Sequence, residues 1–281
     1  MNLFVTGANG FIGKNFVKHA LAQGHFVYAV SRRKLKLKKQ ENLLNLVGDF
    51  YNNWEKELKD SDVLIHFACA GVKKKVNLMK SMEINVHKSF QLLQNAYNAK
   101  CLRWVVISSS SEYGELLKSK KRINNKQFPL PVSNYGFSKM IFTYLSMNYA
   151  IRVKAKCRVI RLFQVYGEGE SKSRLWPKIK KAAENNQLLQ INNPFEKRDF
   201  NNIENIKNDL LEICHFKNNK NITPEIWHLA SGKSMTVLNF AKKVYQKYNK
   251  KIKIKYFNNS NKQYHHISDL VSIWSKSKSK I

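Results

Sequence analysis

Proline and glycine are scarce in this 281-residue chain, at 5 and 11 copies, which excludes a collagen-like or linker-dominated protein. Cysteine is scarcer still: Cys69, Cys101, Cys157 and Cys214 stand far apart with no Cys-x-x-Cys pair. Neither a disulfide framework nor a zinc site is expected, and each cysteine reads as a small buried apolar residue. The one adjacent histidine pair, His265-His266, lacks partners at ligand spacing, so no metal is expected. No apolar run approaches the ~18–20 residues of a membrane span; the best, Val63 to Val72, carries His66. The N-terminus shows no basic stretch ahead of an apolar one, so the cytosol is the expected compartment. Acidic residues are few as well, 19 against 50 Lys and Arg, for a net charge of +31.

Such a charge attracts polyanions over long range. The excess is mostly lysine mixed with asparagine along the whole chain, densest at Arg32 to Lys39, Lys73 to Lys75, Lys118 to Arg122 and Lys276 to Lys280. A cation excess this diffuse predicts weak, salt-sensitive contact with nucleic acid and no specific nucleic-acid partner. With 43% hydrophobic and 12% aromatic residues the chain can bury a core, and its length suits one large domain and a smaller lobe.

Asn2 to Thr6 is a β-prone run that stops at Gly7, and Phe11 to Gln23 then has helical spacing ended by Gly24. Further strands are expected at His25 to Val30, Leu43 to Val47, Val63 to Phe67, Trp104 to Ile107 and Cys157 to Leu162. Helices are expected at Val76 to Ala99 and Asn134 to Ala150. Alternating strands and helices, the strands nearly all apolar, predict an α/β fold with a doubly wound parallel sheet. Beyond Gly167 the alternation weakens, with helices at Trp176 to Asn185 and Val237 to Tyr248 and short strands at Leu188 to Ile191, Ile226 to Leu229 and Lys251 to Tyr256. Residues 1–167 are read as the dinucleotide-binding domain and 168–281 as a smaller mixed substrate lobe interleaved with it.

Gly7-Ala-Asn-Gly10-Phe-Ile-Gly13 falls at the first strand-to-helix junction. Glycines there permit a tight turn and close approach of backbone to a pyrophosphate, and the helix N-terminus favours the anion. Tyr135 and Lys139 are four apart, hence on one helix face, where an ammonium is expected to lower a phenol's pKa toward that of a working acid. Ser108 to Ser111 leave the fifth strand at its C-terminal edge, where doubly wound sheets bind ligands. After the second strand stand Ser31, Arg32 and Arg33 where an NAD site offers a carboxylate, and arginine there suits a 2′-phosphate.

Thr6 to Gly13, Asp62-Val-Leu-Ile-His-Phe-Ala68, Asn85-Val86, Ile107 to Gly114, Tyr135 to Lys139, Arg161-Leu-Phe-Gln-Val-Tyr-Gly167 and Arg198-Asp-Phe200 resemble the motifs of the extended short-chain dehydrogenase/reductases. More narrowly, they resemble the nucleotide-sugar epimerase/dehydratase group, over roughly residues 1 to 270. The resemblance implies a Rossmann fold and a triad of Ser109, Tyr135 and Lys139, with Ser110 a close second for the serine and a candidate substrate contact. It further implies that Gly7, Gly10, Phe11, Ile12 and Gly13 hold the pyrophosphate and that Asp49 and Phe50 flank the adenine. By the same match Ala68 lies along the cofactor, Asn85 organises the site behind the tyrosine, and Arg198 contacts the substrate diphosphate. A homodimer through a helix pair is implied as well.

Three departures narrow the chemistry. The 4,6-dehydratases of the group carry Thr-Asp-Glu where this chain has Ser109-Ser110-Ser111, and without those carboxylates dehydration is disfavoured. Gln164 stands where Asn is usual, and the chain ends soon after Asp269, with little of the C-terminal substrate segment of longer members. The expected activity is reduction of the 4-keto group of a nucleotide-linked hexose with NADP(H), NAD(H) being the alternative cofactor. The runner-up is a 4-epimerase with tightly held NAD, and the rival from another class is a non-catalytic nucleic-acid-binding or sensor protein on the same scaffold.

Overall fold

Six strands, β1 (Asn2–Thr6), β2 (Phe26–Ser31), β3 (Leu43–Val47), β4 (Val63–His66), β5 (Arg103–Ser109) and β6 (Lys156–Leu162), run parallel in the computed structural model. Between them come α1 (Phe11–Ala22), α2 (Glu55–Lys59), α3 (Leu78–Met82), α4 (Ser89–Asn98) and α5 (Asn134–Val153). The C-terminal part adds β7 (Gln164–Tyr166), α6 (Leu175–Glu184), β8 (Leu189–Ile191), β9 (Lys197–Arg198), β10 (Phe200–Asn202), α7 (Ile203–Ile213), β11 (Glu225–Leu229), β12 (Met235–Thr236), α8 (Val237–Lys247) and β13 (Ile254–Tyr256). The structure describes residues 1–38, 40–72, 76–118, 122–216, 223–251 and 253–256. Lys39, the lysine clusters at 73–75, 119–121 and 276–280, the His265-His266 pair and Asp269 lie outside them. Among the described residues no helix is long and apolar enough to cross a membrane, and no group of three or more His, Cys, Asp or Glu could hold a metal ion.

The main sheet has the order β11-β6-β5-β4-β1-β2-β3, so the winding reverses between β1 and β4 and opens a crevice at their C-terminal ends. Both faces of the sheet are covered, because successive strand side chains alternate between them. Leu3 and Val5 pack with Phe16, Val17, Ile206 and Leu210 beneath α1 and α7. Phe4 and Leu64 pack with Leu92, Trp104 and Phe142 beneath α4 and α5 on the other side. The small lobe has its own core, in which Ile179, Leu189, Phe200, Phe240 and Val244 meet.

Two features depart from the sequence reading. The expected helix from Val76 to Ala99 is interrupted by a π-helical turn, Glu83–Lys88, after a start capped by Asn77, whose side chain accepts from the Lys80 amide at 2.8 Å. The interleaving of the lobe also takes a definite form: β11 pairs with β6 as the seventh strand of the main sheet, and α7, which the sequence did not signal, packs on α1.

Candidate active site

The glycine turn has the shape of an anion cradle. Gly7 has φ +65°, and a Cβ there would come within 2.7 Å of the Ala68 amide nitrogen at the end of β4; a Cβ on Gly13 would overlap the Gly7 carbonyl oxygen. The Gly10 amide donates to that carbonyl at 2.8 Å, closing the turn. Gly10 then N-caps α1 with no side-chain hydrogen bond and no acid in the first turn, so the amides opening the helix at Phe11 and Ile12 are left for an outside anion. These residues fit the pyrophosphate of a dinucleotide. Asp49 and Phe50 follow β3; Asp49 accepts from the Tyr51 hydroxyl at 3.2 Å, and the Phe50 ring lies 5.1 Å from that of His66. At the end of β2 the Ser31 hydroxyl donates to the Arg33 carbonyl at 2.6 Å, and both Arg32 and Arg33 are exposed.

Ser109 ends β5, and Tyr135 and Lys139 lie on the first two turns of α5, which Ser133 caps by accepting from the Gly136 amide at 3.0 Å. A Cβ on Gly136 would overlap the Ser111 carbonyl oxygen, so only glycine lets this turn press against the end of β5. That contact brings the Tyr135 hydroxyl up to Ser109 and Cys69. The predicted pull of Lys139 on the phenol is not what dominates: burial pushes Tyr135 well above the ordinary tyrosine range, against a smaller lowering effect of the neighbouring Ser109. Burial also lowers the pKa of Lys139, which is 2% exposed. Tyr135 is therefore a neutral phenol, the form that can give up a proton. Cys101, Cys157 and Cys214 are buried as expected, but Cys69 is exposed and faces the tyrosine, which corrects the reading of all four as buried fillers.

Behind Ser109, Tyr135 and Lys139, Asn85 lies on the π-helical turn and bridges two elements. Its Oδ1 accepts from the Ala70 amide at 2.7 Å, and its Nδ2 donates to the Ala70 carbonyl at 3.1 Å and to Ser138 Oγ at 2.9 Å. The loop after β4 is thereby tied to α5 one turn past Tyr135. The same irregular turn presents Ser89, whose hydroxyl donates to the Ile84 carbonyl at 3.0 Å and lies 2.9 Å from His66 Nε2. With the Ser89 proton so committed, His66 carries its proton on Nε2 and accepts from the Thr6 hydroxyl at Nδ1, 2.7 Å away.

Sequence reasoning missed a buried network beneath Ser109. Glu112, fully buried, accepts from Ser108, from Thr143 at 2.7 Å and from Arg161 Nε at 2.8 Å. Arg161 Nη1 donates to the Tyr113 hydroxyl at 2.5 Å, which is 2.5 Å from His228 Nε2 on β11. This chain of contacts pins β5, β6, β11 and α5 together beneath Ser109. A glutamate just after a serine run gives no hint in the sequence that it faces inward.

Ser110 points into the protein at 7% exposure, so Ser109 is the serine at the tyrosine. Arg198 lies on β9, across from Met235 on β12. It is not a free surface cation: it is forked onto Glu196 at 2.9 and 2.7 Å. Next to it the buried Asp199 accepts from the Ser231 hydroxyl and amide, the Gly232 amide and Asn201 Nδ2, which fixes the chain on that side.

The chain is similar to several proteins of this architecture. It is 26% identical over 224 residues to Protein CapI of Staphylococcus aureus, covering 73% of this chain and 67% of that one. It is 28% identical over 183 residues to the ADP-L-glycero-D-manno-heptose-6-epimerase of Cupriavidus pinatubonensis, covering 61% of this chain and 53%, about half, of the epimerase. Its fold matches the UDP-glucuronic acid 4-epimerase of Bacillus cereus, solved with UDP-glucuronic acid and NAD, with a TM-score of 0.84 at 21% identity, over 99% of this chain and 92% of that one. A family model spans residues 3–230, from the first strand through β11. On that match, and with the glycine cradle and the Ser-Tyr-Lys set in place, the chain belongs to the NAD dependent epimerase/dehydratase family.

Proposed function

We propose that the protein reduces the 4-keto group of a nucleotide-linked 6-deoxyhexose, with NADP(H) as the favoured cofactor. The observation that carries this reading is the end of β2, where Ser31 is followed by two exposed arginines and no carboxylate. An acidic group there would repel a 2′-phosphate, whereas a guanidinium binds it through charge-assisted hydrogen bonds. Gly7, Gly10, Phe11, Ile12 and Gly13 would hold the pyrophosphate, with Asp49, Phe50 and Ala68 along the dinucleotide. When bound, the reduced nicotinamide supplies a hydride. Tyr135 then donates its phenolic proton to the carbonyl oxygen of the sugar, and Ser109 hydrogen-bonds the same oxygen. Lys139, buried one turn on, would hold the nicotinamide ribose, and its positive charge would stabilise the phenolate left behind. The neutral state in which burial keeps Tyr135 suits an acid.

A second reading, a 4-epimerase with tightly held NAD, draws on the fold match to an epimerase solved with that cofactor. The rival of a binding protein draws on the +31 charge, but it leaves the assembled triad without a task. A homodimer is part of the proposal: Phe137, Tyr144 and Ile151, exposed at 38, 40 and 57%, recur every seven residues along α5 and form an apolar stripe suited to pack on a second copy.

The test is a screen of NADPH oxidation against nucleotide-linked 4-keto-6-deoxyhexoses, with Tyr135→Phe as control. We expect turnover in the wild type and a loss of ~10²–10⁴-fold in kcat for the variant, with NADPH affinity retained. Stoichiometric NAD surviving purification, together with turnover of a nucleotide hexose without added cofactor, would transfer the assignment to the epimerase.

A further inference from the structure

Arg198 uses only part of its hydrogen-bonding capacity. Its Nε donates to Glu196 Oε1 at 2.9 Å and its Nη2 to Glu196 Oε2 at 2.7 Å, so the carboxylate covers the side-on edge of the guanidinium. A guanidinium has five N–H donors in a rigid plane. Two are taken here, and among the described residues Nη1 has no protein partner. The end-on edge, formed by Nη1 and the second Nη2 hydrogen, is left for an acceptor from outside, and the arginine side chain is 26% exposed.

The carboxylate is the deeper member of the pair at 6% exposure, and its backbone is held too. The Glu196 amide donates to the Asn193 carbonyl at 3.4 Å, and the Glu196 carbonyl accepts from the Val237 amide at 2.9 Å where α8 begins. On the far side of Arg198, the four donors to Asp199 fix the chain. Removing one partner of a buried ion pair strands the other charge, so an incoming anion does not displace Glu196. It meets a guanidinium already clamped in one plane.

We propose that Glu196 is a positioning residue for the diphosphate of the nucleotide sugar, holding Arg198 side-on so that its end-on N–H pair faces the phosphate oxygens. This rests on the reading of Arg198 as the diphosphate contact. The pair is nearly neutral, so recognition depends on the direction of the N–H groups more than on net charge. In a chain of charge +31, this separates a bidentate diphosphate from stray anions that any lysine would attract.

The experiment is calorimetric titration of the full chain, loaded with NADPH, with whichever of UDP, dTDP, GDP or ADP the wild type binds most tightly. Arg198→Ala and Arg198→Lys should each weaken that nucleotide about tenfold or more, since lysine keeps the charge and loses the fork. Glu196→Gln keeps the side-chain volume but sets an amide N–H₂ against one guanidinium N–H. It should weaken the nucleotide by roughly three- to tenfold, leave NADPH affinity unchanged, and add nothing on top of Arg198→Ala. If Arg198→Ala binds as wild type, or the wild type binds none of the four, the diphosphate reading of Arg198 fails and takes the proposal with it. If Arg198→Ala weakens binding while Glu196→Gln binds as well or better, or the two effects add, or Arg198→Lys matches wild type, the diphosphate contact stands and the positioning role of Glu196 is overturned.

Discussion

Acidification should destabilise this protein before its carboxylates titrate, through His66 and His228. His66 is 1% exposed between Thr6 and Ser89, and His228 is 2% exposed against Tyr113. Burial, and then the positive charge of Lys139 for His66 and of Arg161 for His228, depresses both imidazoles from an ordinary 6.5 to about 3. A base whose pKa is lower in the folded state contributes stability that is complete above its unfolded pKa and is lost as the pH falls toward the folded one. The window therefore opens near pH 6.5 and runs down to about 3. Between pH 7.5 and 5.5 each histidine forfeits about 1.4 kcal/mol, or about 2.7 kcal/mol for the pair, which for a chain of this length corresponds to a drop of about 5 °C in Tm.

Urea unfolding followed by circular dichroism at pH 7.5, 6.5 and 5.5 measures this directly. His66→Gln and His228→Gln should each remove roughly half of the pH dependence, whatever each does to stability at pH 7.5. Partial burial lowers the pKa of His19 and His25 as well, so they add a smaller contribution of the same sign. Burial raises the pKa of Asp199 and Glu170, which act with the opposite sign by stabilising the fold as they take up protons. Comparing variants at equal pH cancels all four. A stability that is flat between pH 7.5 and 5.5, or a double variant with the wild-type slope, would refute the reasoning.

Gly13→Ala should abolish dinucleotide binding while the chain still folds, because the added methyl overlaps the Gly7 carbonyl within the cradle; fluorescence titration with NADPH reads the loss. Arg32→Ala should raise the Kd for NADPH by about one to two decades and leave NADH nearly unchanged, and the double variant with Arg33→Ala should do so more strongly. Equal wild-type affinity for the two cofactors would remove the 2′-phosphate contact and return the weight to NAD.

The doubly wound sheet was legible because its strands are short, nearly continuous apolar runs alternating with helical segments, and the long helix at Asn134 because apolar spacing carries it on. The site was legible where backbone shape dictates residue type, at Gly7, Gly10 and Gly13, and where the Tyr135–Lys139 spacing fixes a helix face. What escaped was decided by partners distant in sequence. Ile226 to Leu229 reads as a strand, but its pairing with β6 is a tertiary choice. The π-helical turn at Glu83–Lys88 conforms to helical apolar spacing, and the Asn85 and Ser89 contacts that go with it reach Ala70 and His66. Cys69 looks like any isolated cysteine until α5 brings Tyr135 against it.

Glu112 bears on the reaction itself. Elimination of water across a sugar ring needs an acid and a base beside Tyr135, and the segment that would provide them runs from Ser109 to Glu112. Ser110 and Ser111 cannot serve at neutral pH. The one carboxylate of the stretch is turned away from the crevice: Glu112 is fully buried, with one oxygen accepting from Ser108 and Thr143 and the other held by Arg161. Swinging it toward a substrate would strand the Arg161 guanidinium inside the sheet, a loss of about 3–5 kcal/mol by the usual measure of a broken buried pair. On the proposed reading, the proton chemistry of the site rests on Tyr135, Ser109 and Lys139 at one substrate oxygen. On that reading the three residues suffice to interconvert a hydroxyl and a ketone, and Glu112, held by Arg161, does not add the further acid–base group that a dehydration requires.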